Sequence, residues 1–82
     1  MSNKFIVYGR KDCHLCEDMV TALRDLQRKF QFEFEVVDID IDIDEKLVQL
    51  YSERVPVLFA VKEAKEVCHY FLDIDVLSHY FS

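Results

Sequence analysis

The chain has 82 residues, is 51% hydrophobic and 32% charged, and carries a net charge of −6 with one glycine and one proline. Its length sets one small domain, residues 1–82, and its composition is globular rather than disordered. The negative charge argues against nucleic acid and anionic membrane surfaces as partners, and no apolar run approaches the roughly 20 residues of a membrane span.

Three cysteines cannot all pair with one another. The start of the chain has no signal-peptide apolar region, so the expectation is a cytoplasmic protein without a structural disulfide framework; a monomer is expected.

Phe5-Ile6-Val7-Tyr8 is a continuous apolar run suited to a central strand covered on both faces. Gly9 ends it, Arg10-Lys11-Asp12 forms a polar loop, and Asp12 is the expected helix N-cap. Leu15, Met19, Ala22, Leu23, Leu26 and Phe30 then recur at helical spacing, with acids early and bases late along the helix dipole. Phe32 to Val37 alternates apolar and polar and reads as an edge strand. Asp42 and Glu45 have capping-box spacing for a second helix, with Ile43, Leu47, Leu50 and Tyr51 on its buried side. Val55 to Val61 is the third strand, with Pro56 at its start. Lys62 to Glu66 is a charged turn, Val67 to Phe71 the fourth strand, and Asp73 caps a last helix showing Ile74, Leu77, Tyr80 and Phe81.

The order is β-α-β-α-β-β-α. A strand, crossover helix and strand make a parallel unit, and the hairpin completes a four-stranded mixed sheet in an α/β fold. Between the first strand and first helix stands Cys13-His14-Leu15-Cys16. Two thiols three residues apart at a helix start serve as a redox pair, as half of a metal site, or as two inert cysteines.

Metal has little support. Cys68 and His69 are adjacent in a strand and point to opposite faces, so they cannot complete a tetrahedral site together with Cys13 and Cys16. The Asp38, Asp40, Asp42, Asp44 series lacks the glycine and final glutamate of a calcium loop, so a solvated strand end and helix cap explain it. No cofactor is expected. His79 reads as a surface residue.

The Cys13-His14-Leu15-Cys16-Glu17 motif, Arg54-Val55-Pro56-Val57-Leu58 and the Phe71-Leu72-Asp73 tail resemble a bacterial glutaredoxin-like family within the thioredoxin superfamily. The resemblance implies a thioredoxin-like fold. It also implies a cis Val55-Pro56 bond facing the cysteines, with the Val55 backbone pairing to substrate. Arg10 would fill the position of a basic residue common before glutaredoxin cysteines. The sequence departs from glutaredoxins in having His14 and Leu15 between the cysteines and no Gly-Gly pair near His69-Tyr70-Phe71. Val7 stands where thioredoxins bury an acid.

Dipole and free amides favour a thiolate at Cys13, the nucleophile, leaving Cys16 to resolve the mixed disulfide. A protonated His14 favours the thiolate, whereas Glu17 and Asp18 oppose it. The expected function is thiol–disulfide exchange through Cys13 and Cys16, acting on a substrate protein or a low-molecular-weight thiol. The competing reading is a non-catalytic interaction module of the same fold with a relic cysteine pair. Cys68 is expected to be a structural thiol.

Overall fold

The computed structural model describes residues 3–41 and 45–81, and of residues 47 and 48 the backbone alone. Four strands, β1 (Asn3–Gly9), β2 (Phe32–Asp38), β3 (Val57–Ala60) and β4 (Lys65–His69), form one sheet in the order β2-β1-β3-β4. β1 pairs parallel with β2 and antiparallel with β3, and β3 pairs antiparallel with β4. The mixed sheet, its central first strand and its edge second strand match the expected order. Glu33 and Glu35 stand exposed on β2.

The period of two in β1 sends Phe5 and Val7 to one face and Ile6 and Tyr8 to the other. Helix α1 (His14–Leu26) and helix α3 (Ile74–Ser78) cover the first face. Phe5, Val7, Met19, Leu23, Phe32, Leu58, Ala60, Val67 and Leu77 make its core. Phe5 is its aromatic centre, with the rings of Phe32, Tyr80 and Phe81 at 5.7, 5.9 and 6.1 Å in edge-to-face geometry. Helix α2 (Glu45–Tyr51) lies over the second face, where Tyr51 stacks on Tyr8 at 5.0 Å.

Several expectations need correction. Asp12 does not cap α1: its φ is 58°, and Cys13 takes the cap position, its sulfur accepting from the Cys16 amide. Helix α1 stops at Leu26, and Phe30 follows as a half-buried ring stacked on Phe81 at 4.7 Å. Leu50 is 59% exposed rather than buried, whereas Tyr51, one residue on, turns to the sheet and stacks on Tyr8. β3 begins after Pro56, and Val61 belongs to the turn. That turn is made without glycine by placing Ala64 at φ 54°. β4 starts at Lys65 and ends at His69, because Tyr70 turns the chain with φ 63°. Asp73 caps α3 as expected, accepting from the Val76 amide at 3.0 Å, but Ile74 faces solvent. The proposed Asp42 cap, Ile43 and the Leu47 side chain lie outside the described residues. Among the described residues no helix is long and apolar enough to cross a membrane.

Candidate active site

β1 ends at Gly9, and the chain turns through Arg10 to Asp12 before α1 begins. That turn brings the helix N-terminus over the end of the central strand, so Cys13 opens the helix and Cys16 lies one turn in. The two sulfurs are joined as a disulfide with Cα atoms 5.2 Å apart. Cys13 Sγ also accepts a hydrogen bond from the Cys16 amide at 3.1 Å. A first-turn amide aimed at sulfur, together with the positive end of the helix dipole, stabilises negative charge on Cys13. Cys13 is half-buried and Cys16 is 7% exposed. An accessible outer sulfur and a covered inner one are what stepwise exchange requires.

Gly9 makes this placement feasible. A Cβ built there would stand 3.1 Å from Cys16 Sγ, inside the spacing normally kept around a side chain. Gly9→Ala is therefore expected to displace the inner sulfur by a few tenths of an ångström. Its mixed-disulfide intermediate should resolve several-fold more slowly, about 1 kcal/mol of barrier by transition-state arithmetic. Rapid quench of the variant after mixing with a disulfide checks this.

Val55-Pro56 is cis. Continuing the β1–β3 register one step past Tyr8–Val57 sets Pro56 opposite Gly9, at the strand end where Cys16 packs. Pro56 is buried, and its carbonyl accepts from the Tyr70 amide at 2.9 Å. The structure thus brings together the end of β1, the start of β3, the end of β4 and the start of α1.

The two candidate modulating residues are placed differently. His14 is almost fully exposed, with Nδ1 4.0 Å from a Glu17 carboxylate oxygen. At that exposure the pair is screened by solvent. Arg10 is engaged elsewhere: Nε and Nη2 donate to the two oxygens of Asp40 at 3.0 and 2.9 Å, and Nη1 donates to the Ser52 carbonyl at 3.1 Å. The hydrogen bond to Asp40 is the main reason the guanidinium pKa is raised.

Sequence reasoning missed a second cluster beside the cis bond. Arg54 Nη2 donates to Glu66 Oε1 at 2.7 Å, and His69 Nδ1 lies 3.0 Å from Glu66 Oε2. A bulge in β4 makes this possible. The register pairs Glu66 with Phe59 and His69 with Val57, which puts both on the α2 face although they are three residues apart. Tyr70 Oη donates to the Glu53 carbonyl at 2.6 Å. The Ser52–Val55 approach to the cis bond is thus held by Arg10, Tyr70 and Arg54, three contacts that only long-range geometry reveals. Cys68 packs on the opposite face, where burial first, and the charges of Asp73 and Glu66 next, push its thiol pKa up against the lowering hydrogen bond from the Asp73 backbone. Among the described residues no three His, Cys, Asp or Glu side chains gather as metal ligands.

A family model described as a glutaredoxin-like domain (DUF836) matches residues 4–82. The solution NMR structure of protein Ne2328 from Nitrosomonas europaea is similar over 100% of this chain and 94% of that one, with 57% identity and a TM-score of 0.89. An X-ray structure of a protein from X. campestris is 32% identical over 93% of this chain and 92% of that one, at a TM-score of 0.65. Thioredoxin 1 from Thermosipho africanus shares the fold at 18% identity, covering 94% of this chain and 92% of that one, with a TM-score of 0.63. No curated protein matches.

Proposed function

Because this chain belongs to the glutaredoxin-like domain family within the thioredoxin superfamily, we propose that it is a thiol–disulfide oxidoreductase cycling Cys13 and Cys16 between dithiol and disulfide. The observation that carries the reading is the disulfide-linked pair at the start of α1, with an outer sulfur hydrogen-bonded to a helix amide and an inner sulfur buried. In the reducing direction the Cys13 thiolate attacks a substrate disulfide and one substrate thiol leaves. Cys16 then attacks Cys13 and the second thiol leaves. Val55 and Pro56 line the approach, with the Val55 backbone offered to an extended substrate. Arg10 acts on the site by fixing the Ser52 carbonyl, and His14 stands exposed at the rim. The protein works as a cytoplasmic monomer on protein disulfides or low-molecular-weight ones, with no cofactor.

The test is a titration in dithiothreitol and glutathione redox buffers, quenched by alkylation and read by mass. One two-electron transition confined to Cys13 and Cys16 is expected. Cys68, with its raised pKa, should stay largely unlabelled near neutral pH and label faster as the pH rises, since the thiolate is the reactive form. A pair that never changes state across either buffer range would return the protein to a non-catalytic interaction module.

A further inference from the structure

The two arginines nearest the cysteines and the cis proline are already engaged. Arg10 gives its fork to both oxygens of Asp40, and Arg54 gives Nη2 to Glu66. A bidentate pair neutralises the guanidinium and occupies the donors that a substrate carboxylate would need. Around the same end of the sheet stand the exposed acids Asp12, Glu17, Asp18, Glu53, Asp73 and Asp75. Exposed Lys11 stands among them as one cation against six acids, so the charge balance there is negative, and it acts before contact by steering encounters.

The second observation is apolar. The loop after β4 is fixed by the Tyr70 amide on the Pro56 carbonyl and by Tyr70 Oη on the Glu53 carbonyl. It presents Phe71 at 70% exposure, next to Ile74 at 53%. Both side chains line a groove of about 670 Å³ that also carries Asp73 and Asp75 and runs along the open side of β4. A large ring held out on an anchored loop, one hydrogen bond from the cis proline, suits an apolar side chain of an extended segment.

We infer that the site acts on protein or peptide disulfides whose cysteine is flanked by basic residues and an apolar residue, and discriminates against glutathione disulfide, which brings carboxylates to an acidic rim. The inference rests on the oxidoreductase reading. The reaction balances within the pair: the dithiol gives two electrons and two protons to the substrate disulfide, which leaves as two thiols, and the protein is left with the Cys13–Cys16 bond.

The test mixes the pre-reduced full chain in single turnover with four disulfides: a Lys-flanked, Leu-containing peptide, the same peptide with Glu for Lys, glutathione disulfide and uncharged hydroxyethyl disulfide. Quenching and alkylation give second-order rate constants. At low salt the cationic peptide should react about tenfold or more faster than the acidic peptide and glutathione disulfide, and the gap should shrink near 0.5 M salt. Asp40→Asn, which releases Arg10, should raise the rate with glutathione disulfide about threefold or more relative to hydroxyethyl disulfide. Phe71→Ser should lower the rate with the cationic peptide on the same relative scale. Reaction with hydroxyethyl disulfide but no charge preference, or a preference for glutathione disulfide, would overturn the substrate class and leave the oxidoreductase reading standing. No reaction with any of the four would overturn both.

Discussion

Cys13→Ser is expected to abolish disulfide exchange, a loss on the order of 10³-fold or more, the scale on which removing a reacting nucleophile acts. A serine hydroxyl in the same cap position still accepts the Cys16 amide, so the helix start survives while the nucleophile does not. Cys16→Ser should behave differently. Its accessible Cys13 still attacks a substrate, but nothing resolves the product, so a mixed disulfide accumulates to about one equivalent and is visible as an added mass. The contrast separates the two sulfurs by role. Equal, undiminished exchange in both variants would remove the pair from the mechanism.

Phe5→Ala should cost about 3–5 kcal/mol, the range for emptying an aromatic site in a core. Phe5 is 1% exposed and touches three other rings. Those rings come from β2 and from the C-terminal segment, so one deletion loosens a contact spanning most of the chain. A domain of this size has a total stability of roughly 4–12 kcal/mol by the per-residue average. The expected fall in Tm is roughly 15–30 °C. Thermal unfolding followed by far-UV circular dichroism checks it, and a shift below about 5 °C would mean the aromatic cluster is not where the stability resides.

Much of the fold was legible because its periodicities are clean. A continuous apolar run became the central strand, a three-and-four stripe became α1, and alternation with glutamates became the edge strand. Cys13, Cys16 and Pro56 were visible as residues with few alternative uses. What stayed hidden depended on backbone irregularity or on distant partners. By ordinary preference aspartate caps a helix better than cysteine, yet the left-handed backbone at Asp12 hands the cap to Cys13. A regular strand sends residues three apart to opposite faces, so Glu66 and His69 read as unrelated until the bulge in β4 joined them to Arg54. Arg10 lies near the cysteines in sequence, but its carboxylate partner is 30 residues away.

The outer position of β2 has a consequence for the behaviour of many copies at once. Among the described residues no further strand pairs with its outer edge beside Phe34, Val36 and Val37, and Val36 is 54% exposed. Such a segment is a template for fibril-like stacking. Glu33 and Glu35 interrupt it at every second position, so strands laid in register would stack like charges along the fibril axis. These two carboxylates serve as gatekeepers against aggregation, a task separate from any chemistry at the far end of the neighbouring strand.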